Sequence, residues 1–90
     1  MIDRPWRARV TGPARRQLAR LPEPAAAAVL ETIQTIAANP RRLGKPLTRD
    51  LEGLYSARRG PYRVIYELDE TAGVVRVVAI GHRRDIYRGR

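Results

Sequence analysis

The sequence predicts a single α+β domain, residues 1–90, in which a two-helix hairpin packs on one face of a mostly antiparallel four-stranded sheet. Two observations carry this prediction. Between residues 13 and 38, apolar side chains recur at helical spacing, and between residues 54 and 82 they follow strand-like alternation or β-branched runs. Ninety residues is the length of one domain. The predicted element order is therefore β-α-α-β-β-β.

The first strand and the helical hairpin are predicted in the N-terminal half. Residues 6–10 alternate apolar and polar side chains, as a strand does. Thr11 follows as a candidate N-cap of a short helix over residues 13–21, which has a proline in its first turn. Two further prolines end this helix and begin a second one over residues 24–38.

Three more strands are predicted in the C-terminal half, after a loop over residues 41–53. They cover residues 54–58, 62–69 and 74–82, and Gly-containing turns join them as hairpins. Helices on one side of the sheet leave the other side to polar residues, chiefly arginine.

Charge is the strongest compositional signal. The chain carries 18 basic and 9 acidic residues, a net charge of +9, and all the basic residues except Lys45 are arginine. The planar guanidinium matches phosphate and stacks on bases. This bias predicts a polyanionic partner, with nucleic acid first and an acidic protein second.

Several classes of protein are disfavoured by what the sequence lacks. It has no cysteine, no signal-peptide-like N-terminus, and no apolar run longer than residues 25–30. We therefore expect a cytoplasmic protein that does not bind a membrane. One histidine without clustered carboxylates suits neither a metal nuclease nor a zinc site, so no metal and no cofactor are expected.

Basic and aromatic residues at the strand ends form the candidate site. Arg58 ends one predicted strand and Arg63 begins the next, so the two can share a face of the sheet. The only histidine, His82, ends the last strand. Whether it converges with the arginines depends on the strand order. The remaining candidates are Arg59, Arg83, Arg84 and Tyr87.

If these residues converge, they suit RNA cleavage without metal. The 2′-hydroxyl must lose a proton while it attacks the adjacent phosphorus, and the 5′-oxygen must leave. Arginines stabilise the charge that develops. Histidine transfers protons near neutral pH, and tyrosine can stack on a base or transfer a proton. His82 is the first choice for proton transfer and Tyr87 the second.

Three stretches of the chain resemble the RelE/ParE superfamily of bacterial toxins, on its RelE side. They are ARRQLARLPEPAAAAVLETI (residues 14–33), LYSARRGPYRVIYEL (residues 54–68) and VVRVVAIGHRRDIY (residues 74–87). The most specific parts are Gly-Pro-Tyr-Arg before Val64 and the terminal Gly-His-Arg segment that Tyr87 closes.

This resemblance implies a RelE-like fold and the toxin of a type II toxin–antitoxin system. Such a toxin is a ribosome-dependent, metal-independent mRNA endonuclease that cuts mRNA in the ribosomal A site and inhibits translation. Its partners are the ribosome, mRNA and a cognate antitoxin, expected to be acidic with a helical segment. The resemblance implies functional roles for Arg58, Arg63, His82, Arg83 and Tyr87. We predict that Arg63, His82, Arg83 and Tyr87 are catalytic and that Arg58, Arg59 and Arg84 bind RNA.

One departure from the family pattern keeps two alternatives open. Ser56 stands where RelE-like nucleases often carry a second basic residue. The first alternative is a ParE-like toxin that inhibits DNA gyrase by protein–protein binding without cleaving RNA. The second is a basic RNA-binding module without catalytic activity.

Overall fold

The computed structural model describes residues 6–48 and 51–84 and confirms the predicted α+β fold. Within these residues, three helices follow the first strand, and four further strands follow the helices. In order they are β1 (Arg7–Val10), α1 (Gly12–Ala19), α2 (Glu23–Ala38), α3 (Pro40–Leu43), β2 (Lys45–Pro46), β3 (Leu54–Arg59), β4 (Tyr62–Asp69) and β5 (Val74–His82).

The sheet has the strand order β1-β5-β4-β3-β2. β1 runs parallel to β5, and the other three pairings are antiparallel. The prediction of a mostly antiparallel sheet is therefore confirmed. Gly60, in the two-residue turn between β3 and β4, has φ +57°, a left-handed conformation that glycine adopts without steric cost.

The predicted four-stranded count and the predicted loop over residues 41–53 were wrong in detail. Residues Pro40–Leu43 form the short helix α3, and Lys45–Pro46 form the edge strand β2 against β3. A two-residue strand is too short to show alternation, so its pairing with β3 is not visible in the sequence.

The helical hairpin follows the prediction closely. Thr11 is the N-cap of α1, and its Oγ1 accepts a hydrogen bond from the Ala14 amide at 3.4 Å. At the other end of the hairpin, α2 buries Val29, Ile33 and Ile36. Among the described residues, no helix is long and apolar enough to cross a membrane.

The hydrophobic core lies between the helices and one face of the sheet. Ala57, Val64 and Ile80 form one register row on that face, and all three are buried against the helices. A hydrogen bond also joins α1 to β5, because the Ile80 amide donates to Gln17 Oε1 at 2.8 Å. This bond lies near an irregularity in the pairing of β4 with β5 at Ile65.

Tyr66 is the largest fully buried side chain of the core. Its hydroxyl donates a hydrogen bond to the Pro40 carbonyl at 2.6 Å, which ties β4 to the start of α3. Its ring stacks on Tyr55 with centroids 5.4 Å apart. Burial raises the pKa of Tyr66 above its ordinary value.

Candidate nucleic-acid interface

Two arginines lie directly opposite each other on the face of the sheet that carries no helix, called here the helix-free face. Arg58 of β3 pairs with Arg63 of β4, and Arg63 in turn pairs with Gly81 of β5. Opposite residues of an antiparallel pair place their side chains on the same face, with Cβ atoms about 4.5–5.5 Å apart. The predicted sharing of one face by Arg58 and Arg63 is thus observed.

The row beside these arginines is buried. Ser56 of β3 pairs with Ile65 of β4, and their exposed fractions are 7% and 4%. Arg63 Nη1 donates a hydrogen bond to Ser56 Oγ at 3.4 Å, which directs its guanidinium toward this row. Ser56 therefore orients an arginine of the site, at the position where a second basic residue was expected from the family pattern.

A further cation reaches the helix-free face from the edge of the sheet. Lys45 of β2 pairs with Ser56, so its side chain leaves the sheet on the same face as Ser56, and it is exposed. Sequence reasoning left Lys45 in a loop. The only sequence signal for its place is the Gly-Lys-Pro-Leu stretch, which is too short to predict a strand.

Arg83 lies just beyond the end of β5. It follows Gly81 by two residues, and its amide donates a hydrogen bond to the Pro61 carbonyl at 2.8 Å, so its backbone is still held against the start of β4. Arg83 and the following Arg84 are both exposed. We call Lys45, Arg58, Arg63 and Arg83 the basic patch.

His82, whose convergence with the arginines depended on the strand order, does not join them on the helix-free face. His82 pairs with Tyr62, one register step beyond the Arg63–Gly81 pair, so strand alternation turns it to the helix side of the sheet. There its ring meets Tyr62 edge-on, with centroids 6.0 Å apart. Its Nδ1 accepts a hydrogen bond from the Arg84 amide at 3.1 Å.

Arg59 also lies on the helix side. Its Nη2 forms an ion pair with Glu31 Oε1 at 2.9 Å, and its Nη1 donates a hydrogen bond to Thr32 Oγ1 at 3.3 Å. Both partners belong to α2. The guanidinium of Arg59 therefore connects β3 to the helical layer and faces away from Arg58.

Among the described residues, carboxylates form ion pairs with some arginines and not with others. Arg41 pairs with Glu70, and Arg76 pairs with Glu67 at 2.9 Å and with Asp69 at 3.6 Å. The hydrogen bond that Arg76 Nη1 donates to Glu67 Oε2 is the main cause that raises the pKa of Arg76. Within residues 6–48 and 51–84, no carboxylate forms an ion pair with any member of the basic patch.

The last predicted site residue, Tyr87, lies outside the described residues. A search of the described part of the chain for three or more His, Cys, Asp or Glu side chains placed to hold a metal ion found no such group. Around the Arg58–Arg63 pair, the described part of the helix-free face therefore offers cationic side chains beside the buried row of Ser56 and Ile65.

Comparison with known proteins places this arrangement in a family. Residues 8–87 match the family model of the ParE toxin of type II toxin–antitoxin systems, parDE. Toxin RelE of Mycobacterium tuberculosis is 48% identical over 87 residues, covering 96% of this chain and 90% of that protein. Toxin RelG of the same organism is 45% identical over 85 residues, covering 93% of this chain and 98% of its own.

Two solved structures agree with these sequence matches. The crystal structure of the toxin–antitoxin complex RelBE2 from M. tuberculosis contains a chain with a TM-score of 0.83 and 42% identity, covering 88% of this chain and 99% of that one. The archaeal RelE–RelB complex from Pyrococcus horikoshii gives a TM-score of 0.72 at 25% identity, covering 91% of this chain and 99% of its own. The chain therefore belongs to the ParE toxin family of type II toxin–antitoxin systems and is a RelE-like toxin.

Proposed function

We propose that this toxin is a ribosome-dependent mRNA endonuclease that uses the basic patch to cut RNA without a metal ion. The observation that carries the proposal is the Arg58–Arg63 pair. Like charges directly opposite each other destabilise a sheet, and within the described residues no carboxylate offsets these two. An RNA phosphate bound between them would supply the missing negative charge.

The chemistry follows from the residue types. The 2′-oxygen attacks the adjacent phosphorus, negative charge builds on the phosphorane oxygens, and the bond to the 5′-oxygen breaks. Arg63, oriented by Ser56, would stabilise that charge together with Arg83. Arg58 would hold the backbone phosphate. DNA lacks the 2′-hydroxyl, so this reaction is specific for RNA.

The other predicted residues take different roles in this proposal. Arg84, exposed beside Arg83, would contact RNA, and Tyr87 would stack on or orient the substrate nucleotide. Arg59 is engaged by Glu31 and Thr32 on the helix side, so we give it a structural role. We also assign His82 to positioning the end of β5, because it faces Tyr62 and not the basic patch.

We further propose a cognate antitoxin and the ribosomal A site as partners, which places the toxin in the cytoplasm. The similar M. tuberculosis and P. horikoshii toxins were solved as complexes with their antitoxins. An acidic antitoxin segment would complement the net charge of +9. By covering the basic patch, such a segment would exclude the RNA phosphate from the site.

The test is primer extension on an mRNA incubated with programmed ribosomes and purified toxin. The wild type should produce a discrete cut in the A-site codon, and Arg63→Ala should lose it. The matched control is Arg20→Ala, which removes the same charge from an exposed residue at the end of α1. In parallel, each phosphate contact removed should lower the salt slope of single-stranded RNA binding by about 0.7.

Two outcomes would contradict the proposal. Equal cutting by the wild type and Arg63→Ala would show that the basic patch does not carry out the cleavage. The absence of any cut by folded wild-type toxin would refute the nuclease function, and inhibition of gyrase supercoiling would then be the activity to measure.

A further inference from the structure

The turn between β3 and β4 fixes the positions of three arginines of the basic patch. Arg58 lies in β3 shortly before this turn of residues 60 and 61, and Arg63 lies in β4 shortly after it. The Pro61 carbonyl also accepts the hydrogen bond from the Arg83 amide at 2.8 Å. The turn itself is exposed, so its own residues bury little surface that would hold it in place.

Arg59, the last residue of β3, lies between this turn and the helical layer. It pairs with Tyr62, which in turn pairs with His82. This register row lies directly beside the row of Arg58 and Arg63, and adjacent rows present their side chains on opposite faces of the sheet. The contacts of Arg59 on the helix side therefore act on the same strand ends that carry arginines on the helix-free face.

Two residues of α2 hold the guanidinium of Arg59. Its Nη2 forms an ion pair with Glu31 Oε1 at 2.9 Å, and its Nη1 donates a hydrogen bond to Thr32 Oγ1 at 3.3 Å. Thr32 is 4% exposed, and its hydroxyl donates to the Ala28 carbonyl at 3.0 Å, so this acceptor has a fixed orientation. Among the described residues, the contact between Arg59 and Glu31 is the only ion pair that joins the sheet to α2.

We propose that Arg59 is a positioning residue of the toxin. Its contacts with Glu31 and Thr32 hold the turn between β3 and β4 against α2, which keeps the arginines of the basic patch at the spacing that cleavage requires. This inference rests on the proposed nuclease function. In this role Arg59 contacts no RNA. Displacing a catalytic group by about 1 Å can slow a reaction about 10²-fold, so loss of these contacts should slow cleavage without removing a phosphate contact.

Glu31 separates this role from the predicted binding of RNA by Arg59. If Arg59 bound RNA directly, Glu31→Ala would free its guanidinium and remove a negative charge, so cleavage would be unchanged or faster. If Arg59 acts through α2, Glu31→Ala should slow cleavage although it makes the net charge more positive. Arg59→Ala should slow cleavage in the same way.

The experiment measures single-turnover cleavage of mRNA on programmed ribosomes over a range of toxin concentrations. Arg59→Ala and Glu31→Ala should each lower the maximal rate by about 10–100-fold and leave the half-saturating concentration near that of the wild type. The double variant should be no slower than Arg59→Ala, because both changes break the same contact. The matched controls are Arg20→Ala and Glu23→Ala, which remove the same charges from the exposed end of α1 and the exposed start of α2 and should keep the wild-type rate.

Three measurements on the free toxin need no ribosome. The salt slope of single-stranded RNA binding should be the same for Arg59→Ala and the wild type, since a lost phosphate contact would lower it by about 0.7. Hydrogen exchange of the Arg83 amide should be faster in Arg59→Ala and in Glu31→Ala, because the turn that carries its acceptor is less firmly held. Thermal melting should show all variants folded, since partly exposed ion pairs add little to stability.

A wild-type cleavage rate for Glu31→Ala would overturn the inference, as would unchanged exchange of the Arg83 amide in both variants. A lower salt slope for Arg59→Ala would also overturn it, because that result would reveal a direct phosphate contact. If Arg59→Ala fails to fold, Glu31→Ala carries the test. If the wild type itself cuts no mRNA, the nuclease proposal fails, whereas wild-type cutting by both variants overturns this inference alone.

Discussion

Gly44 is expected to be one of the most sensitive positions outside the hydrophobic core, because the Tyr66 ring packs directly against its Cα. A Cβ built at Gly44 would lie 2.8 Å from Cζ and 2.9 Å from Cε1 of Tyr66, and it would overlap the hydroxyl. The backbone of Gly44 is extended, with φ −85°, so the constraint is close approach and not glycine-specific torsion angles.

The cost of Gly44→Ala can be worked from these contacts. Overpacking a rigid neighbour costs about 1–3 kcal/mol. Displacing the ring also breaks the 2.6 Å hydrogen bond from Tyr66 to the Pro40 carbonyl, which adds about 1–3 kcal/mol when a buried group is left unpaired. The expected loss is about 2–6 kcal/mol of an unfolding free energy of about 5–13 kcal/mol for 90 residues.

Thermal and urea denaturation of Gly44→Ala measure this loss. The melting temperature should fall by at least about 8 °C, at about 4–8 °C per kcal/mol for a domain of this size. Gly12→Ala is the control, because its new Cβ would meet only Arg16 Nη1, at 3.5 Å. In a Tyr66→Phe background the cost of Gly44→Ala should shrink, since the hydroxyl that collides is absent. A melting temperature for Gly44→Ala equal to that of Gly12→Ala would refute the argument.

Two further predictions concern single hydrogen bonds, and a third concerns the buried hydroxyl of Tyr66. Thr11→Ala should lower the unfolding free energy by about 0.5 kcal/mol, the low end for an N-cap, because the 3.4 Å bond to the Ala14 amide is long; urea denaturation measures it. Gln17→Leu should cost about 1–3 kcal/mol by the same assay, because it leaves the Ile80 amide without its acceptor. Because burial raises the pKa of Tyr66, its contribution to stability is full below pH 10.0 and falls as the pH rises through its folded-state pKa. Denaturation at a series of alkaline pH values should show this fall, and Tyr66→Phe should reduce it.

The sequence by itself determined the fold class and most of the elements. The prolines that bound the helices, the N-cap Thr11 and the alternation of β4 are local signals, because each depends on backbone torsion angles or on which face of one element is buried. The Arg58–Arg63 pair was also predictable, since a two-residue turn sets the register of the hairpin that contains both residues.

Only the tertiary structure decided which side chains share the site. Successive side chains of a strand point to opposite faces of the sheet. A shift of one residue therefore moves a side chain from the helix-free face to the helix side. Gly81 pairs with Arg63, and that register sends His82, the next residue, to Tyr62 and the helical layer. The sequence alone could not assign this face, because register depends on pairing between strands.

Dependence on pairing between strands also explains why the position of Lys45 on the helix-free face was not predicted. Its two-residue strand carries no periodic signal of its own, and its position comes entirely from hydrogen bonding to β3. Composition predicted a polyanionic partner, because net charge is a sum over residues and needs no knowledge of the fold. The location of the uncompensated charge is a property of pairing, since carboxylates from other elements neutralise Arg41, Arg59 and Arg76 while the basic patch has none among the described residues.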